Sequence, residues 1–374
     1  MASTLKVDTI TTPDGTGNIT FSRPIVGNLT AQKNVIINGD LNIWQRGTSF
    51  AAAANNTRIA DRFTFFKGGS MVHTISRDTD VPTVAESGYL SNYSLKADCT
   101  TASGGIGAAD YCLVAYRMEG YDFAPLAQKP MTISFWHKHT KTGTYCVSLN
   151  NSGGDRSYVT EYTQTTTDTW EKATVVIPAS PSAGTWNYTT SIGVQIQFVM
   201  AAGTNYQMTP DAWTAANNFG TSSLVDATDS TSNNCMFAQV QVEAGSVATD
   251  FEVKNHADEL ARCQRYFCKS YNQDTDPETG TETSAVQGGD AYDNTSTHIS
   301  RISITFPVTM RTTPSIIGYD VVSGTSGYWT QDSTNNDVAV AFSHIGERGC
   351  TARSTLTSTP NSRVAGHYTA SAEL

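Results

Sequence analysis

Only one stretch of this chain has the 3.6-residue periodicity of an amphipathic helix; the sequence on both sides alternates with the two-residue period of strands. The helical stretch runs from Asn255 to Tyr271, NHADELARCQRYFCKSY. With Leu260 as reference, Ala257, Leu260, Ala261, Gln264, Phe267, Cys268 and Tyr271 share one face, opposite Asp258, Arg262, Arg265 and Lys269. Asn255 is placed to cap the N-terminus. Such a helix would span about 25 Å, the length of a spacer between two β-domains. Leu260, Gln264, Phe267 and Tyr271 are therefore expected at a domain or oligomer interface. A wide stripe with Gln264 in its middle suits docking on β-structure better than a strict coiled coil.

Everything else reads as strand and turn. Charged residues make up 16% of the 374, while Thr, Ser, Asn and Gly are abundant, a composition that suits antiparallel sheets. A net charge of −10 without a Lys/Arg cluster argues against a nucleic-acid partner. No apolar run is long enough for a transmembrane helix, so no membrane insertion is expected. MASTLKVDTI lacks the apolar core of a secretory signal, so synthesis in the cytoplasm without export by that route is expected. The seven cysteines lack CxxC spacing and mostly sit in apolar runs. Buried free thiols are expected, with one or two disulfides as the alternative.

Four segments follow from the pattern. Residues 1–33 hold two alternating runs, with Leu5, Val7, Ile10, Ile19 and Phe21, around Pro13-Asp14-Gly15, which signals a β-hairpin. A lone hairpin is marginal in water and needs a surface to dock on. Residues 34–253 carry about eight to ten strands at regular spacing, which implies a jelly-roll β-sandwich. Residues 254–272 are the connecting helix. Residues 273–374 form a small C-terminal β-sandwich knob, with Ile302, Ile304 and Phe306, then Val338, Val340 and Phe342, alternating inward. The expected class is all-β.

Several motifs carry a resemblance. NVIINGDLNIWQRG, with Asn38, Gly39, Asp40, Trp44, Gln45, Arg46 and Gly47, opens the sandwich region. VQVEAGSVATDFE closes it, with Gln241, Glu243, Gly245, Ala248, Thr249, Phe251 and Glu252, and ELARCQRYF follows. Together with TLKVDTI, DGTG and the terminal SAEL, they resemble a family of bacteriophage tail-fibre and related virion proteins. The resemblance implies a sandwich like that of carbohydrate-binding modules (CBM-like) and an N-terminal arm held by other virion proteins through Leu5, Val7, Ile10, Ile19 and Phe21. It further implies a homotrimer, and a place on the virion as a structural protein for host adhesion and receptor binding. Cell-surface polysaccharide or lipopolysaccharide would be the receptor. A head fibre or capsid decoration protein is the alternative, and a free glycan-binding module or depolymerase the next. These motifs are structural and assign no catalytic residue.

The chemistry-bearing residues are sparse. His137 and His139, two apart in SFWHKH, leave one face of a strand as a metal pair would. No carboxylate or thiol with ligand spacing accompanies them, so a polar patch where the strand leaves the core is expected instead. Asp40, Asp61 and Asp250 fall near strand ends, where a structural calcium would find carboxylates; turn hydrogen bonding is the simpler reading. No metal site and no cofactor are expected. Asp155, Glu161 and Glu171 show no pairing that marks a glycosidase, and no hydrolase or P-loop motif occurs, so no enzyme is expected. Sugar recognition needs exposed aromatic faces beside planar polar groups. Trp186, Tyr188 and Trp329 lie in polar, turn-rich settings and are the glycan-binding candidates; Trp44, Trp136 and Trp170 belong to strand patterns and the core.

Overall fold

The computed structural model describes residues 33–288, 298–356 and 363–374; residues 1–32, and with them Leu5, Val7, Ile10, Ile19 and Phe21, lie outside the described residues. From Asn34 the chain builds two antiparallel sheets. The six-stranded sheet runs in the order Ser49–Phe50, Val72–Asp78, Ser94–Thr101, Asn234–Ala244, Met131–His139, Glu171–Ile177. The seven-stranded sheet runs Trp213–Thr214, Ser157–Gln164, Gly143–Asn151, Ile192–Ala202, Tyr111–Glu119, Phe63–Gly68, Thr57–Arg58. Ile133, Phe135 and Phe237 of the first sheet meet Val147, Ile196 and Phe198 of the second in one core. The chain is the all-β sandwich that its alternation predicts.

The alternation differs between strands, and the difference matters. In Glu171–Ile177, Ala173, Val175 and Ile177 point inward while Lys172, Thr174 and Val176 face solvent. In Tyr111–Glu119 both faces are buried. Cys112, Val114, Tyr116 and Met118 face the core, whereas Leu113 and Ala115 belong to a second cluster with Cys146, Val159, Val199 and Phe219. The segment after Ala202, carrying Tyr206, Met208, Phe219 and Leu224, folds back over the outer face of the seven-stranded sheet and covers part of it.

His137 and His139 are not at a polar exit from the core. They are 1% and 0% exposed, because the strand Ser157–Gln164 of the other sheet supplies partners: Gln164 Oε1 lies 2.8 Å from His137 Nδ1, and the Tyr162 hydroxyl 3.1 Å from His139 Nε2. Burial lowers the pKa of both rings. All seven cysteines are buried free thiols.

The helix spans His256–Gln264, shorter than its sequence stripe. Asn255 caps it, accepting from the Ala257 amide at 2.9 Å. The backbone then turns into the strand Phe267–Lys269, paired with Ser371 to Thr369 of the strand Val364–Ser371. A short apolar run fits either period, and a strand partner from the far end of the chain decides it. Val364–Ser371 also pairs with Val286–Gly288, Ser315–Tyr319 and Tyr328–Gln331, and is the axis of an eight-stranded C-terminal assembly completed by His298–Thr305, Asn336–Gly346 and Gly349–Leu356. Ile304, Phe306, Trp329 and Val338 lie in its core.

This assembly begins at Phe267, not at residue 273, and is no detached knob. Asn34–Leu374 form one compact unit. The bond between its parts is made largely by arginines. Arg46 pairs with Asp61 at 3.1 Å and with Glu373 at 3.0 Å, while buried Arg62 takes the other Glu373 oxygen and lies 3.4 Å over the Tyr266 ring. The Leu374 main-chain oxygen accepts from Arg58 at 2.6 Å and Arg117 at 2.7 Å. Burial opposes the charges of both Glu373 and Arg62, but mutual attraction prevails, lowering the pKa of Glu373 and raising that of Arg62.

Candidate functional site

The outer face of the seven-stranded sheet holds an open groove of about 350 Å³ beside the segment that folds over it. Strand register builds its floor. Gln195 pairs with Arg117 on one neighbouring strand and Asn150 on the other, so three planar polar side chains stand in one row across the sheet. One row on, Gln197 pairs with Ala115 and Ser148, and the Ser148 hydroxyl donates to Gln197 Oε1 at 2.7 Å. These positions are two residues apart along each strand, so the pleat that buries Val194, Ile196 and Phe198 presents Gln195 and Gln197 outward.

The groove wall is aromatic. Tyr206 stacks on Phe219 with centroids 4.5 Å apart, and Tyr111 meets both edge-on at 5.5 and 5.6 Å. Phe66 lies across the sheet, with the Arg117 guanidinium 4.8 Å from its ring centroid. Arg117 Nε donates to Gln195 Oε1 at 3.0 Å. Asn150 Nδ2 donates to Asn217 Oδ1 at 2.7 Å, whereas Asn150 Oδ1 is buried and accepts no hydrogen bond. An unsatisfied buried acceptor costs about 1–3 kcal/mol unless a ligand or water supplies the donor. No carboxylate lines the groove among the described residues.

A larger cleft of about 440 Å³ lies between the Asn38-Gly39-Asp40 turn, Tyr89 and Tyr93, and the approach to the helix. Most of its polar groups are spent on one another. Asp40 accepts from the Tyr89 hydroxyl at 2.7 Å, from Ser91 and from Asn42. Burial nonetheless raises its pKa to about 6. Glu259 takes the Asn38 amide at 2.6 Å and faces Lys254 at 3.5 Å; Glu252 takes the Asn34 amide at 2.7 Å. Lys254 also donates to the carbonyls of Asn34 and Ile36. The cleft is a seam of the fold.

The motif residues lie along that seam and explain their own spacing. Asn38 has φ 59° and uses its side-chain amide to bond Ile43 in both directions and the Asp61 carbonyl. Gly39 faces a bulge in Asn234–Ala244, where a Cβ would stand 2.2 Å from the Val240 carbonyl oxygen. Trp44 is buried with its indole N–H on the Leu41 carbonyl, and Gln45 reaches the Phe267 carbonyl at 2.9 Å. At the other end, Glu243 accepts from the amide and hydroxyl of Thr249, and Gln241 Oε1 from the Glu252 amide at 2.8 Å. Gln241 and Glu243 thus rope the turn around Gly245 back onto its strand.

The residues singled out from sequence scatter. Trp186 and Tyr188 both stack on Phe123, at 5.4 and 6.1 Å, and Trp213 meets Trp186 edge-on. Trp186 is half-buried and Tyr188 is 37% exposed; neither lines the groove. Trp329 is a correction: it is 1% exposed, its indole donates to the His367 carbonyl at 2.9 Å, and Gly366 lies against its ring. Its turn-rich neighbours belong to a loop, but the side chain fills the space that Gly366 leaves. Leu260 and Gln264 are half-buried, Leu260 packing with Ile37, Ile43, Cys263, Tyr266 and Leu374. Phe267 lies buried under Arg46, and Tyr271 is buried against His367. Asp40 and Asp61 serve turns and ion pairs, and no group of three or more His, Cys, Asp or Glu residues is arranged for a metal among the described residues.

The groove residues were missed. The available signal was GVQIQFVM, where amides alternate with core residues in a strand that pairs on both sides. The covering segment, which turns that row into a groove, has no local signature.

No protein-family model matches the chain, and neither does any curated protein. Among solved structures, a CBM4 carbohydrate-binding module aligns with 56% of this chain and 98% of its own, at 11% identity and a TM-score of 0.27. A family 11 carbohydrate-binding module from Clostridium thermocellum, in complex with a mixed-linked tetrasaccharide, aligns with 54% of this chain and 98% of its own, at 11% identity and 0.27. The N-terminal cellulose-binding domain of Cellulomonas fimi β-1,4-glucanase C aligns with 42% and 82%, at 14% identity and 0.23. At scores this low, no ligand and no site residue is carried over from them.

Proposed function

We propose that this protein is a non-enzymatic fibre component of a bacteriophage particle that recognises a host-surface glycan through the groove on its seven-stranded sheet. The observation that carries glycan recognition is the row Asn150–Gln195–Arg117 beside the Tyr111–Tyr206–Phe219 wall. Sugars stack their C–H faces on aromatic rings and hydrogen-bond at their rims, and this surface offers both. Hydrolysis would require a pair of carboxylates across the bound sugar, and the described lining residues supply none. The virion role rests on the motif resemblance. Three copies per fibre, joined as a homotrimer, would multiply a modest affinity per groove.

The deciding experiment is binding of the purified protein to host cells and to their extracted polysaccharide and lipopolysaccharide. Gln195→Ala and Tyr206→Ala should weaken both together. Binding that survives both variants removes the groove from the reading. A monomer in solution at micromolar concentration would remove the trimer. Particles that lack the protein yet adsorb normally would leave a head-fibre or decoration role in place of receptor binding.

A further inference from the structure

The groove carries one charge. Arg117 is the only charged side chain lining it among the described residues, set in a row of amides and aromatic rings. Its guanidinium is held on three sides: Nε by Gln195, Nη1 by the Leu374 main-chain oxygen at 2.7 Å, and its plane by the Phe66 ring at 4.8 Å. Nη2 has no hydrogen-bond partner among the described residues, although the side chain is only half exposed and its other two nitrogens are engaged. A planar cation fixed in this way has lost its rotamer freedom before any ligand arrives, which lowers the cost of binding.

The surroundings reinforce the charge. Arg46, Arg58, Arg62 and Arg311 gather behind Arg117 around the chain segment 372–374, and the side-chain carboxylates that pair with them there are Asp61 and Glu373. Five guanidinium groups stand here against the side-chain carboxylates of Asp61 and Glu373, in a protein whose net charge is −10. A buttressed, partly buried cation gains more from an anionic ligand than from a neutral one, because its desolvation is offset best by a counter-charge.

We propose that the glycan taken by this groove is anionic, and that Arg117 receives its carboxylate or sulfate group while residues 372–374 position the guanidinium. This rests on the glycan reading of the groove and names its substrate class. Arg117 Nη2 donates to one oxygen of the anion, the sugar ring lies against the Tyr206–Phe219 wall, and the amides of Asn150 and Gln197 meet its hydroxyls. Segment 372–374 acts at a distance from the ligand, through the Leu374 oxygen on Nη1.

The test uses the full-length protein on a glycan array of matched pairs: uronate oligosaccharides with their methyl esters, sulfated galactans with their desulfated forms, and neutral hexose oligosaccharides. Binding should favour the anionic member of a pair by about tenfold or more, and the pair that responds identifies carboxylate or sulfate. Raising salt to about 0.5 M should weaken the anionic member and leave its neutral partner within about twofold, a readout that needs no variant to fold. Arg117→Gln should bring the two members level, and Arg117→Lys should keep part of the preference because the charge stays but the planar fork is lost. Equal binding of both members, or equal loss of both in Arg117→Gln, overturns the anionic assignment and leaves glycan recognition standing. If no array member binds, the glycan reading itself fails.

Discussion

The seam between sandwich, helix and C-terminal strand and the groove on the outer sheet are both rich in polar side chains, yet they are built on opposite principles. In the seam, charges are buried and paired with one another, while Gln45 Oε1, Arg62 Nε and Glu259 Oε1 stay without a hydrogen bond. Glu373 meets two arginines, Glu259 meets an amide and a lysine, and Asp40 accepts from three neighbours. In the groove the polar groups are mostly neutral amides, one acceptor is unpaired, and one guanidinium nitrogen is unused. The motifs that open and close the sandwich fall in the first region, and the residues able to meet a ligand fall in the second. A motif of turns, amides and arginines is therefore a record of how the parts of this chain are joined.

That contrast is easiest to break by removing an anion from the seam. Glu373→Ala would leave buried Arg62 without its ion partner and Arg46 with Asp61 alone. Stripping one partner from a buried pair costs about 3–5 kcal/mol, so chemical denaturation should show a loss of that size. A loss under about 1 kcal/mol would mean that the clasp is solvated and that the C-terminal assembly is held by its strand pairing instead.

The seam should also show itself in the response to pH. Burial raises Asp40 from 3.8 to about 6 in the folded protein, so its charged form is disfavoured there relative to the unfolded chain. Its contribution to stability is present in full below about pH 4 and is lost as pH rises to about 6, a change of roughly 3 kcal/mol. Asp40→Asn removes that dependence. The variant should therefore gain on wild type as pH rises between about 4 and 6 and stay level above it. A difference that is flat across this window would place Asp40 in water. His73, pushed down to about 4 by burial, acts in the opposite sense: its contribution is present above about pH 6.5 and falls away toward pH 4. The wild-type profile alone would partly hide both, which is why the variant difference is the useful measurement.

Gly39→Ala tests the seam at the backbone. The added methyl would meet the Val240 carbonyl oxygen inside the bulge of Asn234–Ala244, and neither is the flexible end of a side chain. Crowding of this kind costs about 1–3 kcal/mol in unfolding measurements. No change would show that the turn can slide out of the bulge.

How much of this was legible depended on whether the information was local. The sandwich could be read because alternation such as Ala173, Val175 and Ile177 against Lys172, Thr174 and Val176 is written within each strand. The cap at Asn255 was equally local. The helix end was not: Phe267 and Cys268 continue a helical stripe, and only pairing with Ser371 and Ala370, over a hundred residues away, makes them strand. Trp329 misled for the same reason, since its neighbours are turn residues but its cover is Gly366. The groove needed two distant facts at once, a row of amides set by register across three strands and a later segment folded over the same face.

Gln195→Ala is the smallest perturbation and the one that separates the two regions most cleanly. The side chain is half-buried and makes a single hydrogen bond, from Arg117 Nε, so its removal should change stability by less than about 1 kcal/mol. In a seam residue of similar burial, that would be the whole effect. In the groove the same truncation removes the middle of the polar row and releases one side of Arg117, so affinity for the bound glycan should fall by about five- to tenfold while the thermal midpoint barely moves. Matched measurements of unfolding and binding on this one variant decide the matter. A drop in stability without a drop in affinity would mean that Gln195, like Gln241 and Gln45, spends its amide on the fold.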